Sequence, residues 1–196
     1  MKKFFKLLLI ILFIVIICIA GTGIYVKTAL PNVGGAPDIK VDITPARVER
    51  GKYLATNLLV CMDCHSQHNL DYYGEPIKDG SFGGGGNEFG KGEGFPGTLY
   101  SKNITPYALS SWTDGEIFRA ITTGVSKNGN ALFPLMPYQG YGQMDKEDIY
   151  SIIAYLRGVP PVKNEVAERS LDFPVNFIVN TIPGKANNDN EQNNEE

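Results

Sequence analysis

Five consecutive residues, Cys61-Met62-Asp63-Cys64-His65, constrain this chain more than any other stretch. Two thiols at this spacing fall on one helical turn, where each can add to one vinyl group of a single porphyrin. The His directly after the second Cys then sits beneath the iron and offers its imidazole as proximal ligand. The pattern therefore reads as the attachment site of one covalently bound haem c. Three other chemistries use similar residues. A thioredoxin-like pair expects a βαβ surround, and no strand pattern leads into Cys61. A zinc site of Cys61, Cys64, His65 and His68 would need its two ligand pairs set apart, so that two elements close on the metal, whereas here the pairs abut. A Cys61–Cys64 disulfide would close too small a loop to stabilise much. An exported thiol–disulfide oxidoreductase using Cys61 and Cys64 is kept as the alternative from another functional class.

A chain of 196 residues suits one domain with appendages and a real apolar core. The net charge of −3 is spread along the sequence without a basic stripe, which argues against nucleic acid as a partner. Of three cysteines, two belong to the motif and Cys18 lies in an apolar run without an evident partner, so no disulfide framework is expected.

Lys2, Lys3 and Lys6 precede an uncharged run from Leu7 to Val26, about 20 residues, enough to cross a bilayer's hydrocarbon core as a helix. The flanking charge keeps the N-terminus cytoplasmic and exports the rest. The expectation is a single-pass protein of the cytoplasmic membrane, with its haem domain on the periplasmic side. A cleaved signal peptide is the main alternative, with Cys18-Ile19-Ala20 before Gly21 as a weak site. A lipoprotein anchor on Cys18 is disfavoured by the bulky Ile17 before it. The expected organisation is 1–26 signal anchor, 27–43 linker, 44–165 haem domain, 166–184 an extension packing on that domain, and 185–196 a disordered tail.

Helical signals follow in order. Thr44 caps a helix with Pro45 in its first position and Ile43 placed to staple onto Val48. Its apolar face is Val48, Gly51, Ala55 and Leu58, with Gly51 as a notch for another helix. Residues 74–97 are glycine-dense without phosphate-loop spacing, and read as a long flexible loop. Thr113 and Glu116 form a capping box for a helix that buries Ile117, Phe118 and Ile121 and stops at Gly124. Trp112 before it is either a core residue or a hydrogen-bond donor to a haem propionate. Asp145 caps a third helix whose stripe is Ile149, Ile152, Ile153 and Leu156, halted by Pro160-Pro161.

The remaining axial position decides between electron transfer and ligand chemistry. His68 and Met62 lie too close to His65 to reach the opposite side, and Met144 is a staple for the third helix. Met136 sits in Phe133-Pro134-Leu135-Met136-Pro137-Tyr138, an extended apolar segment stiffened by prolines, able to cross the distal face. It is the expected second ligand. Two filled axial positions, one a thioether, favour one-electron transfer over binding of small ligands. Displacement of Met136 would instead make a small-ligand haem sensor.

Residues along much of the chain also resemble a family. They are Arg50-Gly51-Lys52-Tyr53-Leu54, Cys61-Met62-Asp63-Cys64-His65-Ser66, Asn103-Ile104-Thr105-Pro106, Trp112-Thr113, Arg119-Ala120 with Gly124-Val125, Met136-Pro137-Tyr138, Ala154-Tyr155-Leu156-Arg157, Pro160-Pro161-Val162 and Leu171-Asp172-Phe173-Pro174. From about Glu49 to Phe177 the chain resembles class I c-type cytochromes, specifically the single-haem domains in cytochrome subunits of membrane-bound alcohol and sugar dehydrogenases. The resemblance implies an all-α cytochrome c fold of three to five helices around one haem, the first and last crossing near Gly51 and Tyr155. It also implies Cys61 and Cys64 as thioether links, with His65 and Met136 as iron ligands. Such subunits often carry three domains and this chain has one motif. The expected role is an electron carrier between a dehydrogenase or quinol-linked donor and an oxidase-type acceptor.

Overall fold

The computed structural model describes residues 2–187, so most of the expected tail, 185–196, lies outside the described residues. Helix α1, Lys2–Ala29, is apolar along its length and exposed on nearly every side. It is long and apolar enough to cross a membrane. The following stretch, expected as a linker over 27–43, docks at its end. Val41 is buried, and its N–H donates to Asp114 Oδ2 at 2.9 Å.

Helix α2, Pro45–Tyr53, starts as its sequence dictates: the Thr44 hydroxyl accepts from the Arg47 N–H, and Pro45 fills a position whose N–H needs no partner. Ile43, the expected staple, is largely exposed. The helix then widens into a π turn, Leu54–Leu58, closed by Leu59 N–H to the Leu54 carbonyl at 2.8 Å. One extra residue in the turn rotates everything after it. Leu54 and Ala55 are therefore fully buried and Leu59 packs on the core, while Leu58, expected on the buried face, is 59% exposed. A regular helical period cannot reveal an inserted residue, which is why the expected face fails at Leu58.

The core forms between α2 and α7, Lys146–Gly158, with α5, Asp114–Thr123, closing over it. Ile149, Ile152, Ile153 and Leu156 are all buried on α7. The α5 capping box is made, with Glu116 N–H to Thr113 Oγ and Thr113 N–H to Glu116 Oε2, and Gly124 ends the helix at φ 73°. Where α2 crosses α7 the backbones nearly touch. A methyl group at Gly51 would lie 1.8 Å from the Ser151 carbonyl oxygen and 2.9 Å from Tyr155 Cβ. Arg47–Glu147 and Arg50–Asp148 pairs flank the crossing at 2.7 and 2.8 Å; being largely exposed, they orient more than they stabilise. Arg157 joins α7 to the start of α5, donating to Asp114 Oδ1 and to the carbonyls of Leu109 and Trp112. Trp112 itself packs against the core.

Short helices complete the described chain: α3, Cys61–Cys64; α4, Pro106–Leu109; α6, Tyr138–Tyr141; and α8, Val175–Ile178. The fold is not purely α-helical. Strands β1, Glu88–Phe89, β2, Gly97–Tyr100, and β3, Ser170–Leu171, form an antiparallel sheet with Glu88 opposite Tyr100 and Thr98 opposite Ser170. Strands this short carry no alternation to read, and β3 is recruited from a distant part of the chain.

Replacing Gly51 with Ala is expected to cost about 3 kcal/mol, the upper end of ordinary overpacking costs, because the added methyl meets the α7 backbone. Gly158→Ala, where the added methyl meets nothing within 4 Å, should change stability by less than ~1 kcal/mol. Urea denaturation followed by circular dichroism compares the two, and equal midpoints would contradict the crossing.

Candidate functional site

The five-residue motif is delivered by the end of the π turn. Val60 adopts a left-handed conformation, φ 48° and ψ 32°, which a β-branched residue adopts only when its surroundings compel it. The chain thereby turns sharply into α3, whose single turn holds both thiols. Cys61 and Cys64 are free, Cys64 exposed and Cys61 half-buried. Burial pushes the Cys61 thiol up to about 11, and burial together with Asp63 raises that of Cys64.

His65 follows directly, and its Nδ1 lies 2.6 Å from the Lys102 carbonyl oxygen. A carbonyl can only accept, so Nδ1 carries a proton. Burial lowers the His65 pKa against the opposing pull of that carbonyl, which favours the neutral ring. A neutral imidazole fixed through one nitrogen with the other free is the arrangement a metal-ligating His requires. These residues fit a haem c: two free thiols on one turn and an oriented imidazole next to them.

The glycine-dense segment is part of this scaffold rather than a flexible loop. Gly85 N–H donates to the His65 carbonyl at 2.7 Å, and Gly83 N–H to Ser66 Oγ at 2.9 Å. On its other side Gly86 N–H reaches the Ser101 carbonyl, and Gly83 O accepts from Ile104 N–H. Gly85 has φ 67°, and a methyl there would lie 2.5 Å from the Asn103 nitrogen. The run is glycine because the chain passes between the motif and the segment carrying Lys102 with no room for side chains. Asn103 is buried and fully engaged: its Oδ1 accepts from Thr105 N–H and hydroxyl, and its Nδ2 donates to the Val162 and Asn164 carbonyls. It thus holds the 102–105 turn against the chain beyond α7. Asn164 completes the cradle by donating to the Gly84 carbonyl. Neither Asn164 nor the Lys102 carbonyl carried a signal in the sequence; Asn103 did, within its four-residue motif.

Met136 is part-buried in the segment between the Val125–Ala131 bridge and α6. Its carbonyl accepts from Tyr138 N–H at 2.8 Å, which starts α6. Tyr141, at the far end of α6, ties this segment to the motif. Its hydroxyl donates to the Leu59 carbonyl at 3.3 Å, and its pKa is pushed up to about 12 by burial and, less strongly, by the nearby Cys61 and Cys64. Edge-on aromatic contacts from Phe133 to Phe95 and on to Phe89 link the same segment to β1. The other methionines of the domain are engaged elsewhere: Met62 is buried in the core beside Gly83, and Met144 packs against the core.

His68 is held outside this arrangement. Its Nδ1 lies 2.5 Å from the Glu75 carbonyl and its Nε2 2.9 Å from the Asp63 carbonyl. Two acceptors require two ring protons, so the carbonyl of Asp63 foremost, then that of Glu75, raises its pKa above the ordinary value. A His whose folded pKa is raised contributes stability that is complete below its unfolded pKa of about 6.5 and is lost as pH rises through the folded value. Stability is therefore expected to fall across that window. In His68→Gln this component should vanish; urea midpoints from pH 5 to 8 that keep the same slope would refute it.

No family model matches the chain. It is similar to the alcohol dehydrogenase (quinone) cytochrome c subunit of Gluconacetobacter polyoxogenes, with 33% identity over 146 residues, covering 69% of this chain and 27% of that protein. The gluconate 2-dehydrogenase cytochrome c subunit of Pantoea cypripedii is 33% identical over 136 residues, covering 67% and 28%. The fructose dehydrogenase cytochrome subunit of Gluconobacter japonicus is 29% identical over 163 residues, covering 81% and 29%. The chain thus spans less than a third of the length of each of these relatives. Its homologues are cytochrome c subunits of dehydrogenases at about 30% identity, and they support a cytochrome c family for this chain.

Proposed function

We propose that this chain is a monohaem c-type cytochrome that carries single electrons on the outer face of the cytoplasmic membrane, held there by α1. The observation that carries the reading is the His65 ring, pinned through Nδ1 to the Lys102 carbonyl beside two free thiols on one helical turn. Bound haem c supplies a one-electron iron couple. The protein's own part is to hold and shield. Cys61 and Cys64 would make the covalent links. His65, held through Nδ1 by the Lys102 carbonyl, and Met136, in a segment stiffened by its flanking prolines, would hold the iron. A thioether from Met136 would favour the reduced state.

The thiol–disulfide alternative fares worse. A reactive cysteine needs a lowered pKa, and here burial raises both thiols. The cytochrome subunits similar to this chain belong to dehydrogenases, which makes a dehydrogenase or quinol-linked complex the proposed donor and an oxidase-type protein the proposed acceptor.

The full chain, produced in a host with c-type haem maturation, is expected to retain its haem through denaturation. In the oxidised state it should show a sulfur-to-iron charge-transfer band. A haem-free protein with two titratable thiols would overturn the reading. Met136→Ala should give a high-spin haem that binds carbon monoxide and has a lower reduction potential; an unchanged spectrum would remove Met136 as ligand. His65→Ala should abolish the low-spin spectrum, whereas a dithiol enzyme would keep its activity.

A further inference from the structure

The C-terminal extension carries an apolar surface that the electron-transfer site does not use. Phe173, Ile178 and Phe177 are 79%, 49% and 37% exposed, at and around α8. Clusters of exposed large apolar side chains on one short element need a partner surface. This element is anchored from within: Val179 is fully buried, and β3, just upstream, pairs with β2.

The position of α8 indicates what that surface meets. α8 and the following 3₁₀ turn, Val179–Thr181, pack against α1. Of the α1 side chains from Lys3 onward, only Gly23 and Val26 are part-covered, and both belong to the last turns of the apolar run Leu7–Val26. Just beyond, Lys27, Leu30 and Pro31 face Asn176, Phe177 and Asn180 across a narrow cleft. At about 1.5 Å per residue the apolar run is as long as the hydrocarbon core is thick, so its last turns lie where acyl chains give way to headgroups. An element packed against those turns lies at the same depth. Its asparagines face the polar cleft at the end of α1, while Phe173 and Ile178 point to the surroundings.

We propose that Phe173–Ile178 is an interfacial membrane contact whose apolar side chains enter the headgroup–acyl boundary of the same bilayer that α1 spans. The inference rests on α1 being a retained membrane anchor. Interfacial elements bury their apolar face a few ångströms into that boundary, and aromatic residues suit it. Because β3 joins this contact to the β2 strand beside the candidate site, the domain is held at a set attitude to the membrane instead of swinging on a tether. A protein partner on the same face is the competing occupant.

The test uses the full haem-loaded chain in phosphatidylcholine–phosphatidylglycerol nanodiscs, with nitroxide labels on single free thiols. Native Cys18, exposed on α1, reports whether the anchor is in the bilayer. Phe173→Cys and Ile178→Cys report on the proposed contact, Tyr73→Cys, wholly exposed, is the aqueous reference, and all three are made with Cys18→Ser. The readout is collision with oxygen relative to a water-soluble nickel chelate; an unchanged Soret band verifies each variant's fold. At positions 173 and 178 that ratio is expected to be several-fold higher than at 73, with Cys18 higher still. Aqueous values at 173 and 178 with a lipid-like Cys18 would overturn the interfacial contact alone and leave the face to a protein. An aqueous Cys18 would overturn the anchor and this inference with it.

Discussion

The close crossing of α2 and α7 at Gly51 is the contact on which the rest of the domain depends. With no side chain at that position, the Ser151 carbonyl and the Tyr155 stem come within a distance that any Cβ would forbid. The crossing buries the isoleucines of α7 against Leu54 and Ala55 and fixes where α2 ends. From that point the chain has one course. The π turn adds a residue, Val60 reverses the backbone, and α3 presents two thiols and an imidazole at the edge of a packed core. Interiors as dense as this transmit small shifts, so the crossing governs the position of the motif although none of its residues belongs to it.

Around the motif, polar groups are paired in a network of backbone and side-chain hydrogen bonds. His65 donates to Lys102, Gly85 and Gly83 donate back to His65 and Ser66, and Asn103 and Asn164 secure the outer wall. The Lys102 carbonyl fixes the orientation of the ring, and burial, against the pull of that carbonyl, favours its neutral form. This is the preparation an iron-binding imidazole needs, since a protonated or wandering ring cannot ligate. The same network explains why the glycine run is ordered. Its amides are committed to partners on both sides, and its carbonyls are committed too.

Much of this was legible in the linear chain. The capping residues Thr44, Thr113 and Asp145 work locally, through hydrogen bonds to amides two or three residues on, and they act as the sequence indicates. The notch at Gly51 was visible because a glycine on an apolar helical face has few other uses. The spacing of the five-residue motif marked it as the candidate cofactor site. Leu58 and the glycine run depart from what the sequence indicates for related reasons. A π turn and a chain threaded between two others both depend on neighbours that periodicity does not record.

Local order in the sequence by itself determined the helix starts, the apolar stripe of α7, the membrane-length helix and the identity of the candidate cofactor residues. Each of these follows from interactions within about a turn of helix or from residue chemistry. Tertiary structure alone decided which carbonyl orients His65, which asparagines brace it, and how the segment of Met136 is joined to the motif through Tyr141. It also decided that β3 closes a small sheet and that α8 lies against the end of α1. Those contacts join residues far apart in the chain, and they exist only once the α2–α7 core has set the distances between them.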